Sequence, residues 1–248
     1  MSKSKTRRPP PKLISQSTSS VKRSPKSKTR RPPPKLISES ASSIKRSPKS
    51  KKRKPINVLL DLDNTLIYSI SCDKLPKNKD SHLHTMKFHK MDDDYYVFER
   101  PGLQNFLDWL YHNYNISVWS AASPDYVEFI VKNIIEKNGR RVEYVLNSDN
   151  CENCQKIFGD KHIKNLSMLW DIHDIKGYGP YNTLIIDDLK MVCRVQPNNS
   201  IQIKSFNTNH KKSIKDTELR RIKKQLEKIS LHFHKNINRP NYKFQLIK

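Results

Sequence analysis

The first 55 residues contain no aromatic side chain, no glycine and a single acid, Glu39. They hold only eight apolar residues among nine prolines and fourteen serines. Such a segment cannot bury enough apolar surface to offset the entropy of ordering it, so it is expected to be a disordered tail. Long apolar runs are missing everywhere: none approaches the roughly 18 residues of a membrane span. The opening "MSKSKTRRPPPK" lacks the apolar centre of a secretory signal. The expectation is a soluble, intracellular protein with no membrane partner. Cysteine is scarce as well. Cys72, Cys151, Cys154 and Cys193 are too few and too irregularly spaced for a disulfide framework, and nothing points to an oxidising compartment.

Basic charge, by contrast, is abundant. The formal net charge is +24, and residues 1–55 supply most of it, with nineteen Lys or Arg. This tail is a tandem repeat: "KSKTRRPPPKLISQSTSSVKRSP" (3–25) is followed by "KSKTRRPPPKLISESASSIKRSP" (26–48), and a third copy stops at "KSKKRKP" (49–55). Runs of three prolines favour polyproline II, so the repeats do not stack on a shared core. Short Lys/Arg clusters read as nuclear localisation signals recognised by an import receptor, and they also bind nucleic-acid phosphates through counterion release. Both readings stay open. Ser24 and Ser47, each in "RSPK", could accept proline-directed phosphorylation, whose negative charge would weaken either contact. The prolines forbid the amphipathic helix of a mitochondrial presequence, so a nuclear address is expected.

From Ile56 the composition changes to alternating strand and helix patterns, the signature of an α/β domain expected over 56–232, with 233–248 as a C-terminal extension. "INVLL" reads as a strand buried on both faces. "TMKFHK" and "YYVFER" flank "MDDD" as a hairpin flap. Leu103, Phe106, Leu107 and Leu110 recur at helical spacing, and "ISVWS" is a second strand. Ser123 and Pro124 open a helix whose apolar face is Val127, Ile130, Val131, Ile134 and Ile135. A polar segment, 151–164, precedes the strand "NTLIIDD", then the strand "SIQIKSF" and a final helix with Leu219, Ile222, Leu226 and Ile229 on one face. Alternation of this kind puts the strands' carboxyl ends on one edge, where open α/β sheets place ligands.

Two of these strands end in acid pairs, Asp61/Asp63 and Asp187/Asp188. A lone D-x-D is usually a turn. Two convergent pairs repel each other unless a hard cation sits among them, and Mg²⁺ takes oxygen ligands of this kind.

"DLDNTLI" resembles the D-x-D-x-T motif of aspartate-nucleophile phosphatases in the haloacid dehalogenase superfamily. "ERPGLQNFL", "VWSAASPDYV", "HIKNLSML", "LIIDDLKMVCRVQPNNSIQI" and "DTELRRIKKQLEKI" narrow the resemblance. They are similar, in order and spacing, to the branch of carboxy-terminal-domain (CTD) phosphatase-like and NLI-interacting-factor-like proteins, which large DNA viruses of the iridovirus type also carry. The resemblance implies a Rossmannoid parallel sheet sandwiched by helices. It implies a Mg²⁺-dependent serine/threonine phosphatase acting through an aspartyl-phosphate, on phosphoserine peptides such as the RNA polymerase II CTD. Asp61 would be the nucleophile, and Asp63 the general acid and then base, with its backbone carbonyl on the metal. Thr65 would orient the first motif, Ser120 and Lys164 would hold the phosphoryl group, and Asp187 and Asp188 would complete the metal site. A protonated Asp63 implies a mildly acidic optimum.

Several features depart from this pattern or lie outside it. Asn64 stands where many relatives have Glu, and "NTNHKKSIKD" is basic where relatives are often acidic; a solvated loop is the simpler reading of that segment. No phosphopeptide-binding domain is expected. "CENC" would need two further ligands, for which His162 and His173 are the candidates, to bind zinc, and ordinary reduced cysteines are the simpler reading. Two rival functions remain: a polynucleotide 3′-phosphatase, and a non-catalytic binding protein recruited by its basic tail.

Overall fold

A computed structural model of the chain describes residues 35–36, 55–75 and 81–237. Apart from Lys35, Leu36 and Pro55, the tail expected to be disordered lies outside the described residues, as does the end of the chain from 238. The strands are β1 (Lys35–Leu36), β2 (Asn57–Leu60), β3 (Ile67–Ser71), β4 (Phe88–Met91), β5 (Tyr95–Glu99), β6 (Asn115–Trp119), β7 (Tyr144–Leu146), β8 (Thr183–Asp187) and β9 (Ser200–Gln202). The α-helices are α1 (Leu103–Asn113), α2 (Pro124–Ile130), α3 (Ser148–Phe158), α4 (Lys190–Val195) and α5 (Glu218–Asn236).

Six strands form a parallel sheet in the order β1-β7-β6-β2-β8-β9. Successive side chains of β2 point to opposite faces and so enter two layers. Val58 and Leu60 join the core that α1, α2 and α5 cover, whereas Leu59 joins the opposite core with Trp119, Leu146, Ile185 and Val192. The parallel sheet is therefore sandwiched by helices, as the sequence predicts, and all of β2 is buried because both its faces are covered.

A second sheet, antiparallel and ordered β3-β5-β4, stands over its own small core of Leu83, Met86, Phe98 and Phe206. The expected hairpin is there, but it is only two-thirds of that sheet. The chain leaving the "DLDNT" turn runs straight into β3 and pairs with β5, Ile67 opposite Glu99. In "IYSIS" Tyr68 and Ile70, which pack on that small core, alternate with Ser69 and Ser71, a strand pattern that the sequence reading passed over.

The segment 151–164, polar in sequence, is largely helical. Asn147 caps α3 by accepting from the Asp149 N–H at 2.9 Å, and the Asn150 side chain accepts the Asn147 N–H at 3.0 Å. Cys151 and Cys154 fall on the buried face of α3 and pack in the core. α2 begins at Pro124 as expected, although the Ser123 hydroxyl makes no capping bond, and the helix widens into a π turn over Val131–Ile135 that keeps Val131, Ile134 and Ile135 buried. α5 runs past the expected domain end at 232 to Asn236, with Phe233 buried.

Candidate active site

β2 lies in the middle of the parallel sheet, with Leu60 opposite Val118 of β6 on one side and Ile186 of β8 on the other. The residues that follow these three positions share one sheet edge: Asp61 and Asp63 after β2, Ser120 after β6, and Asp187 and Asp188 at the end of β8. The Asp61 N–H still donates to the Ile186 carbonyl at 3.0 Å, which ties the first acid to the strand that carries the second pair.

The chain turns sharply after Asp61. Thr65, Leu66 and Ile67 all donate backbone N–H groups to the Leu62 carbonyl, at 3.2, 2.8 and 3.1 Å. The turn needs a left-handed residue, and Asn64 takes that position with φ 59°. Asparagine tolerates this region better than most side chains, which gives Asn64 a conformational role in place of a chemical one. Folding the turn back brings the Thr65 hydroxyl within 2.6 Å of Asp61 Oδ2.

Lys164 arrives from the loop after α3 and is 1% exposed. Its Nζ donates to Asp61 Oδ1 at 2.6 Å and to Asp187 Oδ2 at 2.8 Å. Burial alone would lower its pKa; the Asp187 and Asp61 charges outweigh that and hold it above its ordinary value, so it stays protonated. Gln196 fixes the loop by donating to the Lys164 carbonyl at 2.8 Å and accepting the Leu166 N–H at 2.9 Å. Asp187 accepts the Leu189 N–H at 2.8 Å, and burial pushes its carboxyl pKa up against the pull of Lys164.

Ligand oxygens of Asp61, Asp187 and Asp188 lie within 4.8 Å of one another. Three carboxylates facing one lysine charge in a largely buried place leave net negative charge, and an all-oxygen donor set suits a hard divalent ion. The residues present therefore fit Mg²⁺.

The Asp63 carboxylate lies outside this cluster. Its Oδ1 accepts from the Tyr126 hydroxyl at 2.6 Å, and that hydroxyl also touches Ser69 Oγ. Burial raises the Asp63 pKa to about 6 against the pull of the Tyr126 hydrogen bond, and the Asp61 charge adds to the rise. Asp61 and Asp63 thus meet different surroundings, one buried and bonded to a cation, the other half-buried beside a phenol. Ser120, 2% exposed, accepts the Ala122 N–H at 3.1 Å, which leaves its own hydroxyl proton to donate.

Every site residue expected from the sequence falls on this edge or in the turn behind it. Sequence reasoning assigned no role to Tyr126, Gln196 or Arg100, although all three lie in motifs it singled out. Arg100, 1% exposed, donates through Nη1 to the Thr65 carbonyl at 2.8 Å and through Nε and Nη2 to the two carboxylate oxygens of Asp216 at 2.8 and 2.9 Å. The residue before a Pro-Gly turn carries no sequence signal for such a distant clamp. The two cysteines of "CENC" are otherwise engaged: Cys151 Sγ donates to the Ser120 carbonyl at 3.6 Å, and Cys154 Sγ accepts the Asn165 N–H at 3.1 Å. Burial raises both thiol pKa values to about 11.

Residues 56–238 match the family model described as NLI interacting factor-like phosphatase. A CTD phosphatase-like protein of Invertebrate iridescent virus 3 is 37% identical over 180 residues, covering 68% of this chain and 94% of its own. Its counterpart in Invertebrate iridescent virus 6 is 36% identical over 180 residues, 69% of this chain and 97% of its own. The fold is similar to that of the fission yeast RNA polymerase II CTD phosphatase Fcp1, solved bound to beryllium fluoride, with a TM-score of 0.51, 17% identity, and coverage of 76% of this chain and 68% of that one.

Proposed function

Because this chain belongs to the NLI interacting factor-like phosphatase family, we propose that it hydrolyses phosphoserine or phosphothreonine in proteins, CTD-like peptides among them, through a phosphoryl group carried on Asp61. The observation that carries the reading is the setting of Asp61: a buried carboxylate at a central strand end, bonded to Lys164 and Thr65 at 2.6 Å each. A fixed ammonium and a hydroxyl donor thus hold both of its oxygens in place, one on each.

In the first step an Asp61 oxygen forms a bond to phosphorus, and the bond from phosphorus to the serine oxygen breaks. Asp63 delivers its proton to that leaving oxygen. In the second step a water oxygen attacks phosphorus and gives its proton to the Asp63 carboxylate. The bond from phosphorus to Asp61 breaks, and phosphate leaves with both groups restored. Throughout, the Lys164 ammonium and the Ser120 hydroxyl face the charge on the phosphoryl oxygens, the fixed electrostatic support phosphoryl transfer requires. Asp61, Asp187, Asp188 and the Asp63 carbonyl would hold Mg²⁺, which when bound neutralises phosphoryl charge.

The domain assignment, 56–232 with a short extension, belongs to the same proposal, as does a tail that takes polyanions or an import receptor. The test is turnover of p-nitrophenyl phosphate, phosphoserine heptad peptides and 3′-phosphorylated oligonucleotides with Mg²⁺. The reading expects the peptides to be cleaved and the oligonucleotides spared. Cleavage of oligonucleotides alone, or of nothing, would overturn it.

A further inference from the structure

Asp63 does not choose its own orientation. It sits behind a left-handed turn, and its carboxylate could rotate between the nucleophile and solvent unless something fixes it. The hydrogen bond that reaches it comes from Tyr126, 63 residues away in α2. A phenol has one proton to give. A carboxylate Oδ1 can only accept it, so Tyr126 donates to Asp63 and the Ser69 hydroxyl donates to the Tyr126 oxygen. The chain Ser69 to Tyr126 to Asp63 is thereby fixed in direction.

We propose that Tyr126 is the positioning residue of the general acid: by occupying Asp63 Oδ1 it leaves Oδ2 as the oxygen that gives and takes the catalytic proton, and it anchors that geometry to the antiparallel sheet. The bond survives the catalytic cycle, because a carboxyl protonated on Oδ2 still accepts at Oδ1. The anchor is double. Ser69 belongs to β3, and Tyr95 of β5 packs edge-on against the Tyr126 ring with centroids 5.9 Å apart. The antiparallel sheet thus holds the tyrosine from two strands, and the tyrosine holds the acid. A proton donor misplaced by a fraction of an ångström loses much of its effect, whereas binding of the phosphoryl group by Ser120 and Lys164 does not involve this chain of bonds.

This inference rests on the proposed reaction, so the test begins by showing that the wild-type full-length chain turns over a phosphoserine peptide and that Asp61→Asn does not. If either fails, the proposed reaction is at fault and not Tyr126. With both in place, Tyr126→Phe keeps the ring against Tyr95 and removes only the donor. The expected result is a fall of about tenfold or more in kcat on the phosphoserine peptide, with KM nearly unchanged, since positioning losses of this size act on the chemical step. With p-nitrophenyl phosphate, whose leaving group needs no proton, the pre-steady-state burst of p-nitrophenol should keep its rate. Ser69→Ala, which loosens the phenol without touching the acid, should show the same split at smaller amplitude. Equal losses in the peptide rate and the burst rate, or no loss on the peptide in either variant, would overturn the assignment.

Discussion

The proposed reaction asks one carboxylate to attack phosphorus and a carboxyl two residues away to deliver a proton, so their differences must come from what surrounds them. Asp61 has an ammonium at 2.6 Å, and Asp63 is half-buried beside a phenol. The same logic governs the metal cluster. Lys164 balances part of the charge of Asp61 and Asp187, and a divalent ion that binds the folded chain alone stabilises it by mass action. Adding Mg²⁺ should therefore raise the melting temperature, by an amount equivalent to about 2.7 kcal/mol when the ion stands at a hundred times its dissociation constant. Asp188→Asn should shrink that shift, measured by thermal unfolding without any substrate; an unchanged shift would remove Asp188 from the ligand set. Asp61, Asp63, Asp187 and Asp188 were legible in sequence because each lies at or just past the end of an apolar strand. Tyr126 was not, because its spacing is that of a core residue of α2 and its partner is 63 positions away. Periodicity records which face a side chain lies on, but not which atom it touches there.

At the scale of elements, two clamps stand out: one ties the segment before α5 to the turn after Asp61, the other ties the antiparallel sheet to α1. Arg100 binds the Thr65 carbonyl, the Lys204 carbonyl at 2.9 Å and both oxygens of Asp216, with Phe206 5.2 Å beneath its guanidinium. Arg100→Ala would leave the Asp216 carboxylate and two carbonyls without their shared donor. The expected cost is about 3–5 kcal/mol in denaturant unfolding, the range for breaking a buried pair from one side. A loss below about 1 kcal/mol would mean that the turn does not depend on it. Glu99 forms the second clamp, accepting from His89 at 2.6 Å and Gln104 at 3.0 Å, with Lys87 at 3.1 Å. Burial raises its pKa, but these donors together outweigh it and hold the carboxyl below its ordinary range. A depressed folded pKa contributes stability that is complete above the unfolded value, about 4.3, and is lost as pH falls through the folded value. Unfolding of the wild type should therefore steepen in this acid range, and Glu99→Gln should flatten that part of the profile. The strands and helices with regular apolar spacing were readable from sequence. The antiparallel sheet was read as a hairpin alone, because the alternation in β3 is only two apolar residues, Tyr68 and Ile70, long and its partner β5 lies some thirty positions on, and α3 was hidden by a polar exposed face whose clearest signal was Asn147 with Asn150 three positions on.

For the whole molecule, charge divides the chain more sharply than length does. Nineteen of the 48 basic residues lie in the first 55, against one of the 24 acids. If the tail engages polyanions through counterion release, full-length protein should bind duplex DNA at low salt without sequence preference, and affinity should fall linearly on a logarithmic salt scale. Glutamate at Ser24 and Ser47 should reduce that slope; binding that ignores salt would contradict the counterion account. Catalysis should proceed alike with or without DNA, since every group assigned to the reaction lies beyond Ile56. That reaction stands most directly on one measurement: mass mapping of the acid-quenched full-length protein after mixing with Mg²⁺ and p-nitrophenyl phosphate. A phosphoryl adduct on Asp61, absent from Asp61→Asn, is the predicted result. Turnover without an adduct, or an adduct on any other residue, would contradict it.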